Sequence, residues 1–374
     1  MNQSQRSSGL DTLRACAILG VFFSHYPGFS FGWLSKTGWV GVDLFFVLSG
    51  YLIGNQIFTG LARGQPLDTT VFYARRALRT WPAFWFVLAA YFLFPSWMGG
   101  TSPPALWRFL IFTQNIGLHT GTAFSHAWSL CVEEQFYLAF PLVVWSGLRL
   151  GARRSHGWAL LGGLLAVGVI SRVLLWNSYA RTGQDWFNNY YPNIYYATLC
   201  RFDELLPGLA VAMVKNFHPD AWARITQRGQ TILVTGLLAT GTMVFCIGRY
   251  FYDYGFLTTA FGYSLMALSF AVLVVAALSP GSTLYRLRIP GAYHIALWSY
   301  SIYLSHKAVF HIVQLFTQPR GVPPAATVVV AVIASGLCGA GLYWLVEAPF
   351  MALRERTFPS LFRRRRAERA VVSV

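Results

Sequence analysis

Apolar stretches of close to 20 residues recur along the whole chain, separated by short polar, Gly-, Pro- or Arg-rich connections. Ten can be drawn, at 10–26, 39–58, 82–98, 127–148, 157–176, 194–214, 230–248, 256–278, 292–311 and 325–348. A helix rising 1.5 Å per residue needs about 20 residues to cross about 30 Å of hydrocarbon. The pattern therefore predicts an all-α fold, a polytopic transmembrane bundle of about ten spans. An even number of spans puts both termini on one side. No internal repeat breaks the series, which predicts one membrane domain over 1–354 and a basic tail over 355–374. The stretch TTVFYARRALRTWPAFWF (69–86) differs from the rest. It reads as an amphipathic surface helix running into the third span, with Pro82 at an early-turn or kink position. The connection 99–126 holds a short interfacial helix in ALWRFLIF.

Polar residues inside these stretches are the next signal. An ionisable side chain within a span costs roughly 3 kcal/mol or more, so each marks a functional site by default. The first two spans carry Arg14, His25, Asp43 and Ser49. Arg14 and His25 are eleven residues apart, about three turns, so they share one helix face and lie roughly 16 Å apart along the axis.

Composition and charge sharpen the class. The 374 residues are 55% hydrophobic and 11% charged, against an ordinary charged share of about 25%. The formal charge of +16 would suit nucleic acid if it were spread over a soluble surface, but it is not. Twenty Lys and Arg fall on one set of connections, including Arg63, Arg75, Arg76 and Arg79 and the tail with Arg363 to Arg366, and seven fall on the other. That bias places both termini in the cytoplasm. It assigns the tail to anionic lipid headgroups, with no nucleic-acid partner. Asp11 and Arg14 interrupt the first apolar stretch, so a cleaved signal is not expected. Cys16, Cys131, Cys200, Cys246 and Cys338 have no metal-type or paired spacing and read as small buried hydrophobes; no metal is expected.

Threading the spans alternately places His25, Asp43, His126, Glu133, Glu134, Tyr303 and His306 in the outer half, on the first, second, fourth and ninth spans. An imidazole with carboxylates near it suits general-base work on an alcohol. Glu133 or Asp43 is the expected support of His25, while Tyr303, His306, His126 and Glu134 are acceptor-side candidates. Arg75, Arg76 and Arg79 stand on one turn at the inner face, where a phosphate-bearing ligand would find charge-assisted bonds. Arg14 lies near them and would orient a donor chain or a buried carboxylate. Arg201, Asp203 and Glu204 read as a self-neutralising network, and Glu347 as the partner of a nearby basic residue. A donor inside and a base outside describe group transfer across a bilayer.

The same stretches carry a family resemblance. LDTLRACAILGVFFSH, GWVGVDLFFVLSGYLI, FYARRALRTWPAFW, HAWSLCVEEQFYLAFPL and the pair WSYSIYLSHKAVF and LYWLVEAPF follow one another in order over about 9–354. In this the chain resembles the membrane-bound acyltransferase family 3. The resemblance implies transfer of an acetyl group from cytoplasmic acetyl-CoA to a carbohydrate hydroxyl at a bacterial inner membrane. It implies an essential histidine at His25, as base or transient acyl carrier, and a CoA-binding arginine pair at Arg76 and Arg79. Some members carry a soluble domain after the membrane part, so a periplasmic partner protein is expected to supply any step that needs one. Two departures stand out: Thr80–Trp81 replaces an aliphatic pair, and Ser305 replaces a tryptophan before His306. Neither is expected to touch the chemistry. The alternatives are an acylase of a small molecule, such as a macrolide or lipid, and a transporter or flippase of a lipid-linked sugar. The inner arginine cluster, and no visible broken-helix pair in equivalent halves, argue against transport.

Overall fold

A computed structural model describes residues 7–26, 32–182, 186–250 and 254–359. Among these the protein is helical throughout, with no strand beyond an isolated bridge between Thr101 and Thr122. Eleven helices carry the architecture: α1 (Ser8–His25), α2 (Gly41–Ala62), α3 (Thr69–Leu93), α4 (Trp128–Arg149), α5 (Arg154–Thr182), α6 (Leu206–Phe217), α7 (Gly229–Tyr250), α8 (Tyr263–Leu278), α9 (Ala292–Thr317), α10 (Pro324–Leu342) and α11 (Ala348–Thr357). Five segments are long and apolar enough to cross a membrane by length and composition: Ser35–Ala62, Arg154–Tyr179, Gly229–Tyr250, Thr258–Leu278 and Pro324–Thr357. The helices α1, α3, α4 and α9 are not among them, and these hold most of the candidate polar residues. Both α5 and α7 present exposed apolar side chains along much of their length, Leu160, Val167, Ile170 and Leu174 on one and Val234, Leu237, Leu238 and Phe245 on the other. Apolar surface on that scale is what lipid, and not water, covers.

The surface helix and third span are one continuous element. Asp68 caps α3 by accepting from the Val71 backbone N–H, and the helix runs through Pro82 without a break. The predicted interfacial helix is present as a short turn, Leu106–Leu110. The sixth stretch is not one helix. A π-turn at Tyr191–Tyr195, a single turn at Thr198–Arg201 and a 3₁₀ turn at Phe202–Leu205 precede α6. Pro192 and Pro207 bracket the irregular part, each removing a backbone donor. Helix α11 crosses the predicted 354/355 boundary, and Arg363–Arg366 of the tail lie outside the described residues. Cys131 and Cys200 are buried as expected, whereas Cys16 and Cys338 are exposed.

The core forms where α2 crosses α6. A Cβ built on Gly50 would stand 1.9 Å from the Leu205 carbonyl, and one on Gly208 1.9 Å from the Val47 carbonyl. Gly50 and Gly54, four apart, form the small-residue face that lets helix backbones touch without a hydrophobic driving force. Gly208→Ala is expected to destabilise the folded protein by about 2 kcal/mol or more, because backbone, not a movable side chain, blocks the methyl. Gly162→Ala, whose Cβ would meet nothing within 4 Å, is the control. Denaturant midpoints in detergent check the pair, and equal midpoints would refute the close crossing.

Candidate active site

Two polar centres lie at opposite ends of α1. The first is a group of three imidazoles. His25, in the last turn of α1, hydrogen-bonds through Nδ1 to Nε2 of His306 at 2.9 Å, with the rings stacked. His306 is fully buried, and its Nδ1 lies 2.7 Å from the Tyr303 carbonyl and 3.2 Å from that of Ile302. A carbonyl only accepts, so His306 donates from Nδ1. Its Nε2 is then a lone pair, and His25 must donate to it from Nδ1. That leaves Nε2 of His25 unprotonated in the neutral ring, and it makes no hydrogen bond among the described residues. His126 packs edge-on against His306 with ring centroids 5.0 Å apart. It directs Nε2 to the Leu304 carbonyl at 3.2 Å, and its Nδ1 has no hydrogen-bond partner among the described residues.

His25 also lines a cavity of about 240 Å³, with Tyr91, Lys307, His311 and Gln314 among its walls. The segments around Gly100 and Phe124 form one side. Phe124 adopts a left-handed backbone at φ 57°, a conformation that costs a non-glycine residue about 1 kcal/mol or more. Its ring is locked among Phe84, Tyr91 and Phe109, and the turn delivers His126 two residues later. The Tyr303 hydroxyl donates to the His126 carbonyl and accepts from Ser129, both at 2.6 Å. Tyr303 thus ties the start of α4 to α9 and is not a wall of the cavity.

The second centre lies where α3, α4 and the first turns of α1 and α9 meet. Arg76 reaches Glu134 at 3.6 Å and Glu133 at 3.9 Å, and its guanidinium lies 3.7 Å over the Tyr137 ring. Tyr137 donates to Glu133 at 2.7 Å. Arg75 is drawn to α11, where it pairs with Glu355 at 3.0 Å and donates to the Phe358 carbonyl. Arg79 makes no hydrogen bond or ion pair among the described residues. It stands within electrostatic reach of Arg76, Arg14, Arg354 and Glu347, and lines a small opening with Gln56, Arg75, Arg76 and Arg354. Arg14 pairs loosely with Asp11 at 4.0 Å.

Several expected pairings are corrected by this geometry. Asp43 does not support His25. It is fully buried, and its carboxylate accepts from Arg201 at 2.5 Å. Glu133 and Glu134 do not reach the imidazoles either, because seven and eight residues of α4 separate them from His126, about 10 Å along the axis, and Arg76 holds them. His306 is not an acceptor-side group but the buried partner of His25. The Thr80–Trp81 departure does touch polar chemistry, since Thr80 and Trp81 donate to the two oxygens of Glu134 at 3.0 and 3.3 Å. The network read at Arg201, Asp203 and Glu204 is there only in part: Arg201 pairs with Glu204 and with Asp43, whereas Asp203 is held by Arg172 through two bonds, at 2.7 and 2.9 Å. Glu347 accepts from Ser301 at 3.0 Å with Arg79 in electrostatic reach. Sequence counting missed Lys307 and His311 as cavity walls. Their signal was the i, i+4, i+7 spacing of Lys307, His311 and Gln314, which puts all three on one face of the helix.

Comparison with known proteins gives a consistent result. The sequence model of an acyltransferase domain matches residues 7–345. The chain is 28% identical over 366 residues to O-acetyltransferase OatA of Staphylococcus aureus, covering 91% of this chain and 56% of that protein. It is 28% identical over 378 residues to the putative peptidoglycan O-acetyltransferase YrhL of Bacillus subtilis, covering 95% and 56%. It is 32% identical over 227 residues to peptidoglycan O-acetyltransferase OatA of Listeria monocytogenes, covering 56% and 34%. The chain thus spans about half the length of the curated relatives it matches. No solved structure matches it. A match over nearly the whole described bundle, in a helical chain with membrane-length apolar helices, means that this protein belongs to the membrane-bound acyltransferase family 3.

Proposed function

We propose that the protein is a ten-span O-acetyltransferase of a bacterial inner membrane, with both termini cytoplasmic. It takes acetyl from cytoplasmic acetyl-CoA and places it on a carbohydrate hydroxyl at the outer face. Peptidoglycan is the acceptor that the relatives' names support. The observation that carries this reading is the opposed pair of centres at the two ends of α1: His25 with its Nε2 unbonded at a cavity, and, beside Arg14 three turns away, the Arg79 guanidinium of α3, which makes no hydrogen bond or ion pair among the described residues. Arg79 is the residue best placed to meet a CoA phosphate, with Arg14 and Arg354 adding field. Arg76 contributes less than the arginine pair of the resemblance suggests, because Glu133, Glu134 and Tyr137 already hold it.

In this scheme His25 Nε2 removes the acceptor hydroxyl proton as the oxygen attacks the thioester carbonyl. The new C–O bond forms, the C–S bond breaks, and His25 returns the proton to the departing thiolate. His306 keeps the ring in the Nδ1–H tautomer, the task a carboxylate performs in a Ser-His-Asp site. The broken sixth stretch does not revive a transport reading. Arg172, Arg201, Asp203 and Glu204 at the break are fully buried and paired with one another and with Asp43.

Mass spectrometry of cell-wall glycans tests the reading directly. Cells expressing the protein should gain acetylated sugars that cells without it lack, and unchanged glycans would overturn it. The donor end has its own test. Arg79→Glu should weaken CoA binding in detergent by about tenfold or more, the loss of one charge-assisted contact plus a new repulsion. Arg63→Glu, at the end of α2, should change it less than twofold. Equal effects would make Arg79 a mere membrane anchor.

A further inference from the structure

One charged group near the imidazoles is not used by the scheme above. Lys307 follows His306 on α9 and lines the same 240 Å³ cavity as His25. It makes no hydrogen bond or ion pair among the described residues. No Asp or Glu is among the described residues of the cavity's walls, so none of them compensates its charge, and its field falls on His25, His126 and His306. A lysine serving as an interfacial anchor extends its amine along the outside of a bundle toward headgroups. This one turns inward, into the space next to the proposed base. An unpaired ammonium in a confined, partly dry space is costly unless a ligand neutralises it. Among the other polar walls, the Tyr91 hydroxyl and the Gln314 amide can donate to a ligand, whereas the Thr122 hydroxyl and His311 Nε2 already donate to the His119 and Ser96 carbonyls. The cavity's volume, just below the roughly 300–1,000 Å³ of small-molecule sites, takes about one sugar unit.

We propose that Lys307 is an anion subsite, and that the acceptor is a sugar carrying a carboxylate or phosphate close to the hydroxyl that is acetylated. This rests on the acetyltransferase reading for its use, but binding tests it separately. The group serves selectivity: an ion pair with the substituent seats the ring so that one hydroxyl faces His25. A neutral sugar of the same size would leave the ammonium desolvated and unpaired.

Calorimetry on the detergent-solubilised full chain, with three probes, decides it. N-acetylglucosamine is neutral, N-acetylmuramic acid adds a carboxylate, and N-acetylglucosamine 1-phosphate adds a phosphate. The wild-type protein is expected to bind at least one anionic probe about tenfold or more tightly than the neutral one, a preference that weakens with salt. The better anionic probe identifies which anion the acceptor carries. Lys307→Gln should bring that preference close to one, and Lys307→Arg should keep it. Equal wild-type affinities for all three probes would overturn the proposal whether or not the variants fold. So would a preference that survives Lys307→Gln. Dihexanoyl phosphatidylglycerol carries a phosphate and no sugar; if it displaces the sugar phosphate with equal affinity, the site belongs to lipid and the proposal falls. A retained anion preference with no acetyl transfer to any sugar would sink the acetyltransferase reading while leaving the subsite standing.

Discussion

His25→Ala is expected to lower kcat for acetyl transfer by about 10²- to 10⁴-fold, the range a positioned general base contributes. Donor binding should hold within about twofold, because Arg14 lies three turns away on α1 and Arg79 stands at that same end, within electrostatic reach of Arg14. The side chain leaves few structural debts behind it, since its one hydrogen bond is to His306. His306→Ala should cost less, about tenfold to a hundredfold, through loss of the fixed tautomer. His306 is a positioning residue, and its signature is a rate change with little change in KM, partly restored in His306→Gln, whose side-chain amide can again accept from His25. Initial rates with radiolabelled acetyl-CoA, in detergent or proteoliposomes, give both numbers. A kcat within threefold of wild type for His25→Ala would remove His25 from the chemistry, whatever its geometry.

The contrast between His25 and Asp43 explains what the sequence could and could not convey. Arg14 and His25 sit on one helix, so the period of 3.6 was enough to place them on one face, and α1 runs unbroken between them. Hydropathy likewise marks where a chain enters and leaves lipid, which yields depth. It does not yield azimuth, the direction a side chain faces around its own axis relative to neighbouring helices. Asp43 faces the break before α6 and meets Arg201. His306 faces α1 and meets His25. These directions follow from the crossings of α1 with α9 and of α2 with α6, which depend on small residues such as Gly50 and Gly208 and on contacts many residues apart. The interrupted sixth stretch did have a local signal in Pro192 and Pro207, masked by an apolar composition that reads as a simple span. The fate of the arginines is a similar case. Adjacent positions on one turn suggested a shared ligand, but Arg75 turned to Glu355 and Arg76 to Glu133 and Glu134, leaving Arg79.

The second large effect concerns stability and belongs to Arg201. Its guanidinium serves Asp43 and Glu204 together and donates to the Tyr195 carbonyl at 3.1 Å, with all three charged groups fully buried. It also lies 4.0 Å from the Tyr263 ring centroid and 4.9 Å from that of Trp128, so it joins α2, α4, α8 and the irregular turns before α6. Arg201→Leu keeps most of the volume but leaves two carboxylates in a dry interior without their cation. Removing one member of a buried ion pair costs about 3–5 kcal/mol for this reason. Asp43→Asn should cost far less, about 1 kcal/mol. It leaves Glu204 to neutralise Arg201, and Asp43 uses only one oxygen, its other oxygen having no hydrogen-bond partner among the described residues. The double variant should recover part of the Arg201→Leu loss, since one of the stranded carboxylates is gone; sites in direct contact are expected to couple in this way. Denaturant unfolding in a single detergent, followed by tryptophan fluorescence, measures the cycle. Equal losses for Arg201→Leu and Asp43→Asn, or strict additivity in the double variant, would mean that the cluster is not organised around Arg201. The broken stretch would then be held by its aromatic packing alone.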